Sequence, residues 1–338
     1  MESELLQLTD HGLYCPLGDF FVDAWQPVRR AVVTHAHADH FSYGCDSYLV
    51  AAPGERIFKA RIRGQGVVRA VPYGEAVKIN QVKVSLHPAG HILGSAQVRI
   101  EYKGEVWVVS GDYKLAPDPT CESFELVPCH NFITEATFGL PVFRWPDQND
   151  VFAEINTWWQ SNQESGRASV LYVYALGKAQ RVLSGVDASL GPIYTHGAVE
   201  IYNQAYRRSG MNLPASTMAT AAKNPDWKKA LILAPSSAQG TPWLRRFGAQ
   251  SSGFASGWMR IRGMRRRRAI DRGFILSDHV DWPGLMEVIE ATGASDIWVT
   301  HGYVPIVVRW LREKGLQARG LSTRFTDLEE EPEEGEEA

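Results

Sequence analysis

Three histidines and an aspartate fall within six consecutive positions of the segment VVTHAHADH (32–40), directly after an apolar run. Val32 and Val33 have the character of a buried strand end, so Thr34 to His40 are predicted to form a tight loop at that end. Imidazole nitrogens and carboxylate oxygens are the donors that zinc and similar ions take from proteins. Four donors so close together can serve two ions. The alternative is a histidine-rich surface loop. Such a loop would not need further metal-ligating residues elsewhere in the sequence.

Matching donors recur downstream, each after an apolar strand-like run. A carboxylate at the tip of such a strand would cost several kcal/mol if it were desolvated without a partner, which favours a metal-bridging role for Asp112. Each donor alone could be a turn residue or a core histidine, but together they indicate one site. The donors are His91 in HPAGHILGSAQ, Asp112 in VVSGDYK, Asp278 and His279 after GFIL, and His301 in IWVTH. Four other histidines are interpreted as turn, surface or capping residues, namely His11, His87, His130 and His196.

The order of strand-like and helix-like patterns predicts an α/β fold in which one domain interrupts another. Strands are predicted at 20–25, 29–34, 47–52, 81–87, 96–102 and 105–112, separated by Gly, Pro and Asn. Helical patterns begin at VFAEINTWWQS (151–161) and continue in GKAQRVLSGV and WKKALIL, with a strand at SVLYVYA. The strand pattern returns at GFILSDHVDW (273–282), followed by a helix, a strand at 296–303 and a last helix.

Composition sets broad limits on the class of protein. With 338 residues, of which 44% are hydrophobic and 22% charged, the chain can build one large core or two smaller ones. Its four cysteines form no CxxC pair, which suits the reducing cytosol. No secretory signal or membrane span is visible, so a cytoplasmic protein is expected. The segment DLEEEPEEGEEA (327–338) holds eight acids and is expected to be a disordered tail, or less simply a mimic of nucleic acid.

The motif series THAHADH, AGHILGSA, SGDYK, TEATFG, SDHVDW and VTHGY resembles the metallo-β-lactamase fold nucleases of the β-CASP group, and most closely the bacterial DNA ligase-associated exonucleases. The resemblance covers residues 10–305. YALGKAQ (174–180) and SSGFASG (251–257) are similar to segments of the inserted domain of that family. The sequence departs from the pattern at Phe254, where methionine is common, and in its short insert.

The resemblance implies an αββα sandwich interrupted by an inserted, β-CASP-like α/β domain. The implied boundaries are 1–145 and 272–326 for the two parts of the metallo-β-lactamase domain, 146–271 for the insert and 327–338 for the tail.

The resemblance also implies roles for individual residues. Two divalent ions, zinc or manganese, would hold a bridging hydroxide and neutralise an attacked phosphate. His279 would contact the scissile phosphate or protonate the leaving oxygen, with Glu135 orienting it, and Asp39 would be both ligand and catalytic residue. Asp23 in VDAW and Asp278 would support the site. The implied ligands are His35, His37 and His91 for one ion, Asp39, His40 and His301 for the other, and Asp112 between them.

An arginine-rich segment, MRIRGMRRRRAIDR (259–272), holds seven arginines and one acid. Guanidinium groups suit phosphate oxygens, so the segment predicts a nucleic-acid surface. A solvated charged helix or loop is the alternative. Lys178, Arg245 and Arg246 could extend this surface, and one or two tryptophans could stack on bases of a single strand. The predicted contacts are Lys178, Arg262, Arg265, Arg266, Arg267 and Arg268.

The site pattern predicts a metal-dependent phosphodiesterase. The resemblance implies that it is a DNA exonuclease of DNA repair, with a DNA ligase and a helicase as partners. Three alternatives stay open. An RNA-processing β-CASP ribonuclease would use the same site, and DNA rather than RNA rests on the resemblance. A glyoxalase II-like thioester hydrolase is disfavoured by the long insert and its arginines. A metal-free nucleic-acid-binding scaffold would require the loss of ligands.

Overall fold

The computed structural model describes residues 4–263 and 268–321. The chain divides into two compact units: residues up to Arg144 and from His279 onward form one, here called the split unit, and 145–278 form the other, the inserted unit. The sequence predicted boundaries at 145/146 and 271/272. The second boundary differs because Arg272–Phe274 pairs as a strand inside the inserted unit. The predicted tail (327–338), Arg265, Arg266 and Arg267 lie outside the described residues.

The described elements alternate strands with a few helices, so the predicted mixed α/β class is confirmed. The helices are α1 (Glu55–Ile62), α2 (Gln148–Glu164), α3 (Lys178–Gly185), α4 (Gly197–Arg208), α5 (Trp282–Thr292) and α6 (Val304–Glu313).

The first sheet of the split unit has the order β1-β2-β3-β4-β5-β6. It starts as an antiparallel meander and continues from β3 to β6 with parallel neighbours. Its strands are β1 (Gln7–Thr9), β2 (Gly12–Cys15), β3 (Phe20–Val22), β4 (Arg30–Val32), β5 (Ser47–Ala51) and β6 (Val67–Val71).

The second sheet of the split unit has the order β19-β18-β11-β10-β9-β8-β7. Its strands are β7 (Val77–Ile79), β8 (Val82–Pro88), β9 (Ala96–Tyr102), β10 (Glu105–Val109), β11 (Asn131–Glu135), β18 (Asp296–Thr300) and β19 (Gln317–Gly320). Strands β10, β11 and β18 are parallel neighbours, so their carboxyl ends lie at one edge of the sheet. That edge carries the predicted donors.

Two apolar cores hold the split unit together. One lies between the sheets and contains side chains from both, among them Phe20, Val32, Val98, Trp107 and Trp298. The other covers the opposite face of the second sheet with residues from α5 and α6. Helix α1 packs against β5 and β6 of the first sheet. Burial of these apolar faces fixes the strand register, because a shift of one residue would turn every core side chain toward solvent.

The inserted unit has one parallel sheet, ordered β14-β13-β15-β12-β16-β17. Its strands are β12 (Ala168–Tyr172), β13 (Ile193–Thr195), β14 (Thr217–Met218), β15 (Leu231–Ala234), β16 (Gln250–Ala255) and β17 (Arg272–Phe274).

One prediction for this unit was wrong. The WKKALIL pattern is a short 3-10 helix followed by β15, not an α-helix, because a central parallel strand buried on both faces reads as a continuous apolar run. The strand-and-turn pattern predicted at 273–282 covers the end of β17 at Phe274 and an irregular segment that reaches α5 at Trp282.

Gly94 permits a close contact between two loops of the split unit. Its φ is +80°, and a Cβ there would lie 2.1 Å from Cα of Gly54. We expect Gly94→Ala to lower the free energy of unfolding by about 3 kcal/mol or more, because overpacking adds to left-handed strain. Gly104→Ala is the matched control, because Gly104 also has a left-handed φ of +88° but a Cβ there would meet no other part of the protein within 4 Å. This substitution should lower the free energy of unfolding by only about 1 kcal/mol. Urea unfolding would measure both, and equal losses would contradict the packing argument.

Candidate metal centre

The loop after β4 is held to both sheets of the split unit at Thr34. The Thr34 amide donates to Asp23 Oδ1 at 2.8 Å, and its hydroxyl donates to Oδ2 at 2.6 Å. The Thr34 carbonyl accepts from the amide of Ala96 in β9 at 2.8 Å. Asp23 itself adopts φ +47°, an uncommon conformation for a residue other than glycine. These contacts fix the backbone from which the next six residues project.

Four buried side chains converge beyond Thr34, namely His35, His37, His91 and Asp112. Nδ1 of His37 lies 3.1 Å from Nε2 of His35 and 3.1 Å from Nε2 of His91. Two nitrogens bound to one tetrahedral zinc at about 2.0–2.1 Å would be about 3.3–3.4 Å apart. The three imidazoles therefore already have nearly the spacing that one ion requires.

A second group consists of Asp39, His40 and His301. Nδ1 of His40 lies 2.7 Å from Asp23 Oδ2, which directs Nε2 toward the group. Among the described residues, that buried Nε2 has no hydrogen-bond partner. A buried polar atom that faces other donors without a partner fits a ligand position for a cation. His301 follows β18 with φ +57°, so the turn there is also constrained.

Asp112 lies between the two groups. Its Oδ2 is 3.4 Å from Nε2 of His35 and 3.3 Å from Nε2 of His40, with Nε2 of His91 at 3.8 Å. One carboxylate oxygen thus contacts donors of both groups. This is the position from which a single side chain can serve two ions.

A third group joins Asp112 to Glu135 and His279. Glu135 ends β11, is buried, and accepts the Tyr113 amide at 2.9 Å. Its Oε2 lies 2.9 Å from Nδ1 of His279. The carboxylate therefore fixes the imidazole through Nδ1, so that Nε2 is the nitrogen of His279 that can act on a substrate. Nδ1 of His279 is also 4.0 Å from Asp112 Oδ2.

The electrostatics of the cluster favour bound positive charge. Burial lowers the pKa of His35 well below its usual range, and burial and then His40 lower the pKa of His301. Burial also opposes a charge on His40, but Asp112 and Asp39 outweigh it and raise the pKa of His40 well above its usual range. Asp112 is buried too, yet His40 and His279 hold its pKa well below normal. A divalent cation would compete with the proton on His40, so ion binding should weaken as pH falls.

Asp23 should support ion binding without being a ligand. We expect Asp23→Asn to weaken divalent-ion affinity by about 10- to 100-fold, because the neutral amide is a weaker acceptor for the His40 imidazole. Asp19→Asn is a matched control, since Asp19 also has a left-handed φ of +53° but pairs with Arg29 and Arg30. Zinc or manganese titration by calorimetry would test this. Unchanged affinity in Asp23→Asn would contradict the supporting role.

Other predicted residues are placed differently. Lys178 is buried rather than on a surface, and its Nζ lies 3.8 Å from Oδ2 of Asp278. Asp278 also accepts from Arg181 at 3.0 Å, so it belongs to an ion-pair network of the inserted unit. Arg262 is exposed as predicted. The guanidinium of Arg268 lies 4.2 Å from the ring centroid of Phe254.

The histidines interpreted as non-ligands have other contacts. Nδ1 of His196 accepts the Ala198 amide and caps α4, and Nδ1 of His130 accepts the Val106 amide. His87 contacts Ser85 and Glu125, and His11 lies in the β1–β2 turn.

Sequence reasoning missed two supporting features. Thr34 was predicted only to start the loop. Its position between the strand and the histidines was the feature that could have indicated a supporting role. The buried Lys114–Asp118 pair, 2.6 Å apart, holds the segment after Asp112. Nothing in the sequence around Lys114 indicated that this charged side chain would be buried.

Comparisons with known proteins give partial sequence relatives and one likeness of fold. No family model matches the chain. A protein of Opitutus terrae named "Probable DNA ligase" is 30% identical over 314 residues, covering 91% of this chain and 30% of that protein. "RNase aCSPSF2" of Saccharolobus solfataricus is 30% identical over 187 residues, 46% of this chain and 38% of that protein. The chain thus spans about a third of the length of these two curated relatives.

A crystal structure of a protein of unknown function from Enterococcus faecalis V583 matches with a TM-score of 0.58 at 13% identity, covering 88% of this chain and 80% of that one. This match shows likeness of fold. The sequence relatives include a protein named as an RNase, and the converging His and Asp donors suit a metal-dependent nuclease. In the part of the chain that the structure describes, no helix combines the length and apolar character that crossing a bilayer requires.

Proposed function

We propose that this chain is a metal-dependent DNA exonuclease that trims DNA ends in repair, in the cytoplasm, built as an αββα metallo-β-lactamase domain with an inserted β-CASP-like domain. The observation that carries the proposal is the position of Asp112 Oδ2 within 3.4 Å of both His35 and His40, one from each donor group. Few arrangements other than a two-ion site explain six buried or half-buried donors around one buried carboxylate.

Each donor has a proposed role. His35, His37 and His91 would hold one ion, and Asp39, His40 and His301 would hold the other, with Asp112 shared. When bound, zinc or manganese ions would neutralise charge on an attacked phosphate and acidify water. Asp23 orients His40 through the contact at 2.7 Å. These side chains are aligned by strand ends of two sheets, so little rearrangement is needed before reaction.

His279 is the proposed proton donor to the leaving oxygen. Glu135 holds its Nδ1, which leaves Nε2 as the atom that would contact the scissile phosphate or the departing sugar oxygen. This pair is separate in role from the ligands, although it touches Asp112.

Two observations support nucleic acid as the substrate, namely the positive charge of the arginine-rich segment and the names of the sequence relatives. The exposed Arg262, together with Arg268 and the rest of the arginine-rich segment, suits a polyanion. Alignment over 91% of the chain with a protein named a probable DNA ligase supports DNA as the substrate. A DNA ligase and a helicase of the same repair system are the proposed partners, on the motif resemblance. The similarity to an RNase favours RNA processing as the second candidate.

Time-resolved digestion would test the proposal. The full chain would be incubated with Mn²⁺ or Zn²⁺ and with 5′- or 3′-labelled single and double strands of DNA and of RNA, beside a small thioester. Stepwise shortening of DNA supports the proposal. Cleavage of RNA alone would favour the ribonuclease, and thioester hydrolysis without strand cleavage would overturn nuclease function.

A further inference from the structure

A cluster of aromatic rings lies at one edge of the inserted unit, remote in sequence from the metal-ligand motifs. Trp227 and Trp243 each contact the buried Phe247 edge-on, with ring centroids 4.8 Å apart in both cases. Tyr194 continues the row beyond Trp227, and His196 continues it beyond Trp243, again at 4.8 Å. Phe247 is buried, whereas the other four rings are partly exposed. We call these five residues the aromatic row.

The aromatic row is bordered by positive charge. Arg246 is exposed, its guanidinium lies 5.6 Å from the Trp243 ring centroid, and its Nε donates to the Trp243 carbonyl at 2.9 Å. Exposed basic residues adjoin both indoles in sequence, namely Lys228, Lys229 and Arg245. The acid beside Trp227 is Asp226, which pairs with Lys229 at 4.0 Å. The border of the row is therefore net positive.

The same loop connects the row to the arginine-rich segment. Gln239, four residues before Trp243, donates its side-chain amide to the carbonyl of Arg268 at 2.7 Å. Arg268 in turn stacks on Phe254. Two arginine-on-ring pairs, Arg246–Trp243 and Arg268–Phe254, thus lie on segments joined by one hydrogen bond. A core edge alone would not require cations over its rings.

We propose that the aromatic row is a binding surface for single-stranded nucleic acid, with Trp243 as the stacking residue and Arg245 and Arg246 contacting phosphates. This inference rests on the proposed nuclease function and adds a second contact region for the same substrate. Aromatic faces stack on any base, and adjacent arginines neutralise the backbone, which is the usual combination for single-strand binding. An apolar protein partner is the less suitable occupant, because it would leave the arginines unpaired.

The first test is a binding measurement with the full chain in an Asp112→Asn background, so that the strand is not cut. Fluorescence anisotropy would follow a labelled 20-nucleotide thymidine strand and an abasic strand of equal length. Trp243→Ala should weaken binding of the thymidine strand by about tenfold, in line with about 1–3 kcal/mol per stacked base. It should leave the abasic strand unaffected, and Trp243→Phe should restore most of the loss.

Trp310→Ala is the matched control. Trp310 is 38% exposed on α6 of the split unit and also carries a cation over its ring, Lys314 at 5.3 Å. We expect no change in binding for this variant. Equal losses in Trp243→Ala and Trp310→Ala, or equal losses on both strands, would overturn the stacking role.

A second variant guards against misfolding. Arg245→Gln with Arg246→Gln changes two exposed side chains and should lower the slope of log K against log salt by about 1.4, since each phosphate contact on a single strand contributes about 0.7. An unchanged slope would overturn the proposal. In a chain that keeps Asp112, the same substitutions should raise KM and leave kcat unchanged. Binding by the natural chain without any cleavage would refute the nuclease function while sustaining the surface.

Discussion

Asp112→Asn should abolish strand cleavage, with a loss of about a thousandfold or more. The amide keeps the size of the side chain but removes the negative charge that both donor groups share through Oδ2. Losing several kcal/mol of ion binding and charge stabilisation corresponds to that factor, since each 1.4 kcal/mol is tenfold. The measurement is the initial rate on end-labelled DNA.

A thermal readout separates loss of ions from loss of fold. Saturating zinc or manganese should raise the melting temperature of the natural chain by about 5–10 °C, and Asp112→Asn should lose most of this increment while unfolding cooperatively. Asp296→Asn is the control, since Asp296 begins β18 of the same sheet but pairs with Arg319 at the surface. Full activity in Asp112→Asn would refute the shared-ligand assignment.

His279→Gln should lower kcat by about 10²- to 10⁴-fold with little change in KM, because general acid catalysis typically contributes that much. Glu135→Gln should show a smaller loss, since the imidazole would keep its place but lose the carboxylate at 2.9 Å. Neither variant of the pair should remove the thermal shift on adding zinc or manganese, because His279 is not proposed as a ligand. Pre-steady-state rates would isolate the chemical step.

His87→Gln provides the matched control for this pair. His87 also contacts a carboxylate, Glu125, at 3.0 Å, but it lies outside the three donor groups. It should retain kcat. If His279→Gln abolished the ion-dependent thermal shift, His279 would be a ligand; if His87→Gln lost as much kcat, the effect would be structural.

The convergence of the candidate donors could be predicted from the sequence because parallel strands present their carboxyl ends together. Asp112, Glu135 and His301 follow or end β10, β11 and β18, which are parallel neighbours. Once apolar runs end in donors, their convergence follows from topology. The strands carrying the first and second motif were also recognisable, since β4 and β9 lie within predicted segments and β8 extends one residue beyond its own.

Other features could not be predicted because tertiary contacts override local pattern. The segment that contains β15 was predicted to be a helix. A strand buried on both faces of a parallel sheet does not show the alternation of apolar and polar residues that identifies other strands. Lys178 carries a charge that normally indicates the surface, yet Asp278, a hundred residues later, pairs with it. Long-range ion pairs of this kind leave no local periodicity.

The two backbone hydrogen bonds of Thr34 affect how rigidly the donor side chains are held. Its amide is bonded to Asp23, next to β3, and its carbonyl to Ala96 in the other sheet, so the histidine loop cannot loosen unless the two sheets separate. We infer that the geometry of the donors persists before any ion arrives. The amides of Thr34 and Ala96 should then exchange with deuterium as slowly as the central strands, through global unfolding alone.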